Sequence, residues 1–177
     1  MVISRLFQNP CELWNLTILK LDCCGHLQKL PNSLVHLKAL QHLSLNYCYS
    51  LSSLPQHIRM LASLTTLTLY VVGKKRGFLL AELRQMNLKG DLCIKHLERV
   101  KSVMSAKEAN MSSKHVSNLQ LQWERNEDSQ LQENVEEIIE MLQPQTQQLQ
   151  RLTVVGYTGA YFPQWISNRI LLTIEIQ

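Results

Sequence analysis

The sequence predicts an α/β solenoid, a horseshoe of stacked repeats with a parallel concave sheet of about six strands and irregular or helical segments on its convex side. Three observations predict it. Leucines recur at a step of 24 residues, in the sets Leu16, Leu40 and Leu64, then Leu19, Leu43 and Leu67, then Leu21, Leu45 and Leu69. The landmarks between them keep the same step: Cys24 and Cys48, Leu27 and Leu51, Leu30-Pro31 and Leu54-Pro55, Leu34 and Ile58, Leu37 and Leu61. A coiled coil needs apolar residues about every 3.5 positions and no proline, whereas Pro31 and Pro55 interrupt once per period.

The unit matches the leucine-rich repeat in period and in landmark order. In each L-x-L core the two leucines point inward from a short strand and the residue between them faces out, because side chains alternate along a strand. That alternation puts Lys20, Asp22 and Cys23, then Ser44, Asn46 and Tyr47, then Thr68, Tyr70 and Val71 on the open face. Tyr47 and Tyr70 stand out there, since an outward aromatic serves no core and suits a partner contact. Cys24 and Cys48 hold the position that caps the turn after the strand, about 4.7–4.9 Å apart in a stack. This spacing would admit a disulfide, but two buried thiols suit a regular ladder in a reducing compartment.

Beyond residue 70 the strands continue at Leu92-Cys93-Ile94, Leu119-Gln120-Leu121 and Leu152-Thr153-Val154. Counted on the second inward residue from Leu21, the steps are 24, 24, 25, 27 and 33. Regular repeats therefore occupy 16–87 and longer ones 88–166, in a repeat region of 14–166 with an N-terminal edge at 1–13 and a divergent end at 167–177. The longer units have room for helices. Leu131, Val135, Ile138, Ile139 and Leu142 fall at helical spacing, with Glu133, Glu136 and Glu137 near the start and Pro144 just past the end. A weaker segment runs from Ser102 to Asn110. Glu124 to Asn134 is polar and reads as an exposed insertion.

Composition narrows the function classes. Hydrophobic content of 45% with 18% charge argues against disorder, and no apolar run approaches the roughly 20 residues of a membrane span. Without an uninterrupted apolar stretch near the start, no secretory signal is evident, and five irregularly spaced cysteines fit reduced thiols; a cytoplasmic location is expected. Charge is uneven: residues 1–114 hold 15 basic and 6 acidic side chains, residues 115–177 hold 3 and 8. The basic residues are scattered with few aromatics among them, which disfavours nucleic acid and suits an acidic protein surface. Lys74, Lys75 and Arg76 form a glycine-bounded basic loop, either a solvated tip or a contact. No catalytic constellation, metal site or cofactor is expected: Cys23, Cys24 and His26 lack a completing pair, and Glu136, Glu137 and Glu140 are the polar side of a helix. Trp123 and Trp165 read as packing residues.

Two further blocks carry more than leucine. Leu88-Lys-Gly90-Asp-Leu92-Cys-Ile94, Leu97-Glu98-Arg-Val100, Ala106-Lys-Glu-Ala109-Asn110-Met111, Lys114 and Leu119-Gln-Leu121-Gln-Trp123 form the first. Leu142-Gln-Pro144, Leu149-Gln-Arg-Leu152-Thr-Val154, Gly156-Tyr157-Thr-Gly159 and Phe162-Pro163-Gln-Trp165-Ile166 form the second. Over residues 14 to 166 the chain resembles the repeat region of plant coiled-coil-type nucleotide-binding leucine-rich-repeat disease resistance proteins. The resemblance implies a non-catalytic module that recognises a pathogen-derived or host protein and packs against the receptor's own nucleotide-binding domain to hold it off. The chain has no G-x-x-x-x-G-K-[ST] loop of its own. Lys20, Asp22, Ser44, Asn46, Tyr47, Thr68 and Tyr70 are the candidate ligand contacts, and Lys74, Lys75 and Arg76 the candidate contact with the nucleotide-binding domain. An unpatterned end after Ile166 without a polar cap suggests a fragment, a truncated gene or a partial gene model. A free-standing repeat adaptor, or a receptor fragment without function, is the alternative.

Overall fold

In the computed structural model, residues 13–124, 134–145, 147–167 and the backbone of 173–176 are described. Most of the expected N-terminal edge, residues 125–133 of the expected insertion with the first residues of the expected helix, and 168–172 at the divergent end lie outside them. The chain stacks parallel strands at the repeat period. Strands β1 (Ile18–Lys20), β2 (His42–Ser44) and β3 (Thr66–Leu67) pair in that order, with Leu19 opposite Leu43 and Leu43 opposite Leu67. Strands β4 (Leu69–Val71), β5 (Lys89–Lys95), β6 (His115–Gln122), β7 (Arg151–Val155) and β8 (Thr173–Ile176) form a second parallel sheet. Eight described strands in two sheets thus replace the expected six in one. One extra strand comes from the split of the third repeat into β3 and β4, the other from β8, where the repeat pattern had been lost.

The split has a backbone cause. In the first pair of repeats the Leu21 amide donates to the Ser44 carbonyl at 2.9 Å. One repeat later the Leu45 amide meets the Thr68 hydroxyl instead, at 2.8 Å, because the Thr68 carbonyl has turned away to accept from the Cys93 amide at 2.9 Å. The side chain supplies the acceptor that the main chain withdrew, so no buried amide is stranded. The flip also shifts phase. Tyr70, not Leu69, stands opposite Ile94, in the column continued by Leu121 and Val154.

This corrects the reading of Tyr70 as an exposed contact. Its ring is 1% exposed and its hydroxyl donates to the Leu79 carbonyl at 2.6 Å. Val71 is buried with it. A one-residue slip exchanges the faces of a strand, and the step of 25 between Leu69 and Ile94 is its trace in the sequence.

Behind the sheets the early repeats return through 3-10 turns, Asn32–His36 and Ile58–Met60, entered from Pro31 and His57. Proline's fixed φ suits an extended residue just before such a turn. Helices appear where the repeats lengthen: α1 (Val103–Lys107), capped by the Ser102 hydroxyl on the Ser105 amide at 3.2 Å, and α2 (Val135–Met141). A last turn, α3 (Gln164–Ser167), carries Trp165, whose indole donates to the Ile139 carbonyl at 3.3 Å. Leu34, Leu37, Leu40, Leu43 and Leu45 reach zero exposure, as do Ile138, Ile139 and Leu142 of the later units. The core is thus a continuous seam along the stack.

Lys114 lies in that seam with no exposure, its ammonium donating to the carbonyls of Leu83 at 2.7 Å and Met86 at 2.9 Å. These carbonyls end the 3-10 turn Leu80–Leu83 and its exit, so the lysine fastens one repeat to the back of another. Burial pushes its pKa down from 10.5 to about 8. Between those values the unfolded chain holds a proton that the folded chain has released. Stability is therefore expected to rise with pH from about 8 to 10.5, by at most ~1.4 kcal/mol per pH unit from this group. Urea unfolding of the native chain and of Lys114→Met across that window tests it. The slope attributable to Lys114 should vanish in the variant, and parallel profiles would remove the claim.

Candidate functional site: the open face of the sheets

The residues that alternate with the inward leucines build this face. The Asp22 carboxylate accepts from the Ser44 hydroxyl at 2.6 Å and the Asn46 amide at 2.7 Å, and the Asn46 side chain donates to the Ser44 hydroxyl at 3.1 Å. These three candidate contacts thus bond one another across two repeats. Asp22 is spent on holding the face in shape, while Lys20 stays exposed beside it. Thr68 is half-buried and occupied by the Leu45 amide.

Tyr47 is 64% exposed and Tyr49 71% exposed, with ring centroids 6.2 Å apart. The Lys95 ammonium sits 5.7 Å from the Tyr49 ring centre, within cation–π range. Tyr47 occupies a left-handed backbone position, φ 60°, which recurs two residues after the second inward residue at Cys23, His96 and Gly156. There the chain leaves the strand, so Tyr47 projects at the rim of the face. Two depressions of about 370 and 380 Å³ adjoin it and share Asn46, Tyr47, Thr68, Cys93 and Gln120. One extends to Arg151 and Thr153, the other to Tyr49, Lys95 and Gln122.

The structure therefore gathers Asp22, Ser44, Asn46, Tyr47 and Thr68 on or beside one face and removes Tyr70 from it. Cys93, Gln120 and Thr153 were reachable by the same alternation, being the middle residues of the later L-x-L cores. Tyr49 lies past the strand end, where no period speaks. Burial pushes the Cys93 thiol up to about 11, so it is protonated at neutral pH and is not primed as a nucleophile. Cys48 caps its turn by directing its sulfur at the Leu21 carbonyl, 3.0 Å away. Cys23 and His26 are exposed and Cys24 half-buried, and among the described residues no His, Cys, Asp and Glu side chains gather as a metal would require.

The basic loop forms a separate place. Lys74, Lys75 and Arg76 are exposed at the tip of a turn closed by the Gly73 amide on the Phe78 carbonyl at 2.8 Å. Gly77, at φ 87°, sits against Gln56 and His57 and docks the loop on the preceding repeat. Lys74 also edges a slot of about 180 Å³ with Arg99, Lys101 and the apolar side chains of Val72, Leu79 and Val100. Arg99 is held by the Val72 carbonyl at 2.9 Å and by Glu98, 3.5 Å away. Although burial opposes it, hydrogen bonds from His96 and the Glu124 amide hold the Glu98 carboxyl below its usual range.

Trp123 and Trp165 are buried, as expected of packing residues. Trp123 meets Tyr157 edge-on at 5.4 Å, and Tyr157 stacks on Phe162 at 4.9 Å. Among the described residues no helix is long and apolar enough to cross a membrane.

Comparison with known proteins agrees with this architecture. Residues 80–176, more than half of the chain, match the family model described as R13L1/DRL21 LRRs. Disease resistance protein RGA2 of Solanum bulbocastanum is 39% identical over 116 residues, 64% of this chain and 12% of that protein. RGA4 of the same species, which carries the same kind of name, is 36% identical over 131 residues, 73% of this chain and 13% of its own length. An RPP13-like protein of Arabidopsis thaliana is 32% identical over 110 residues. The chain thus spans about an eighth of the length of the Solanum relatives. No solved structure matches it. With its parallel repeat strands and this match, the chain belongs to the R13L1/DRL21 leucine-rich-repeat family.

Proposed function

We propose that the chain is the non-catalytic protein-recognition and autoinhibition module of a plant intracellular immune receptor. The names of the Solanum relatives support a place in disease resistance. The observation that carries the recognition half is the exposed pair Tyr47 and Tyr49 beside two depressions, on a face whose own polar groups are already bonded to each other. Rigid aromatic anchors on a preorganised surface bind at low entropic cost. A pathogen-derived or host protein is the ligand class this suits.

The autoinhibitory half rests on Lys74, Lys75 and Arg76. Together with Arg99 and Lys101 they make the flank of repeats three and four a basic surface with an apolar slot. It would meet an acidic patch on the nucleotide-binding domain of the same receptor, where charge complementarity sets orientation. In a receptor carrying these repeats, reversing Lys74, Lys75 and Arg76 to glutamate is expected to weaken association with its nucleotide-binding domain expressed in trans and to raise ligand-independent signalling. Tyr47→Ala with Tyr49→Ala should instead abolish the ligand response and leave that association intact. Unchanged association and signalling in the first variant would remove autoinhibition. An unchanged response in the second would remove recognition by this face.

A further inference from the structure

A separate groove sits away from the open face. It lies between α2 and the loop that follows β7, has a volume of about 340 Å³, and shares no lining residue with the depressions at Tyr47. Met141, Phe162 and Pro163 form its apolar floor, Glu137 and Glu140 stand at its rim, and Tyr161 flanks it. Among the described residues no basic side chain lines it.

Its walls are fixed to each other. The Glu136 carboxylate accepts from the Ala160 amide at 2.8 Å, which ties the loop to α2. The Tyr157 hydroxyl donates to the Tyr161 carbonyl at 2.6 Å, so the Tyr161 ring, 77% exposed, is held out on a pinned backbone. With Glu136 occupied, Glu137 and Glu140 are left. Among the described residues neither has an ion-pair partner, and they sit one helical turn apart on the same side. Glu140 also lies in the last turn of α2, where no basic residue offsets the helix's negative end. Glu137 and Glu140, an exposed aromatic ring and an apolar floor together suit a cation carrying aliphatic surface, which none of the described residues lining the groove supplies; Glu140 also borders a neighbouring depression that holds Arg84 and Lys107.

We propose that this groove docks a basic segment of a partner protein, placing an arginine or lysine between Glu137, Glu140 and the Tyr161 ring and an adjacent apolar residue over Met141 and Phe162. The aromatic face attracts the cation, the carboxylates pair with it, and the floor takes the aliphatic neighbour. Methionine suits such a floor because it adapts to different apolar shapes. This partner would bind whether or not the open face is occupied.

The test uses the full chain and a short fluorescent peptide of arginine and leucine in amphipathic order, with a glutamate-for-arginine twin and spermidine as comparisons. Fluorescence anisotropy should show binding of the arginine peptide, weaker at high salt, and none of the twin. Affinity should fall about tenfold in Glu137→Gln with Glu140→Gln, and several-fold in Tyr161→Ser. Glu108→Gln, an exposed carboxylate outside the groove, should change nothing. The unfolding midpoints of these surface variants should match the native chain, which separates lost docking from lost folding. The proposal is overturned if the arginine peptide does not bind, if spermidine competes at equal concentration, if the groove variants bind as the native chain does, or if Glu108→Gln weakens binding as much as they do.

Discussion

Tyr70→Ala is expected to lower the stability of the chain by about 3–5 kcal/mol, the usual cost of truncating a fully buried aromatic. Tyr70→Phe should cost about 0.5–1.5 kcal/mol, because it removes one hydrogen bond to the Leu79 carbonyl, which still accepts from the Glu82 amide at 3.0 Å, and keeps the ring volume. Chemical denaturation of the two variants measures both. If Tyr70 were an outward contact, as strict alternation through the third repeat implies, either change would stay within about 0.5 kcal/mol. A small effect of the alanine variant would therefore refute the phase shift at Thr68, and with it the account of the split strand.

Gly156→Ala should destabilise by about 2–5 kcal/mol, the sum of a left-handed backbone forced on a residue with a Cβ and overpacking against fixed atoms. Gly156 has φ 69°, and a Cβ there would run into the carbonyl oxygen of Trp123, a backbone atom that cannot swing away. That crowding is built in, since the Trp123 amide donates to the Val155 carbonyl at 2.9 Å and draws the two turns together. Gly90→Ala provides the comparison. Gly90 has φ 80°, but nothing lies within 4 Å of its added Cβ, so only the conformational part, about 1–2 kcal/mol, should appear. Equal losses at the two glycines would mean that the contact with Trp123 contributes nothing.

The parts of the fold that a period can express were legible in the sequence. The inward leucines, the cysteine at the turn and the outward places of Asp22, Ser44 and Asn46 follow from a 24-residue step and the alternation of a strand. What escaped is what a period cannot express. A peptide flip at Thr68 leaves no mark except one step of 25, so alternation alone puts Tyr70 on the wrong face. Ile174-Glu175-Ile176 does alternate, but Ile176 stands only 22 residues after Val154 where the preceding steps lengthen to 27 and 33, so the spacing does not point to β8, in which Ile174 pairs with Leu152. Lys114 has the composition of a surface residue, and only three-dimensional proximity to two turn carbonyls explains its burial. The groove at Tyr161 likewise joins a helix and a loop from different parts of a long repeat, a juxtaposition that spacing does not encode.

Thr68 also settles what counts as a module in this stack. The first two repeats are interchangeable in register, each 24 residues from its neighbour and read in one phase. The third is read in that phase by the strand before it and in a phase one residue later by the strand after it. It behaves as a splice between two reading frames of the same motif. Copying an early repeat lengthens the stack without moving any side chain to another face, whereas copying the third would add a second frame change. Growth or exchange of repeats is thus free before this junction and constrained at it, and again where the register of β5 on β6 shifts at Gly90.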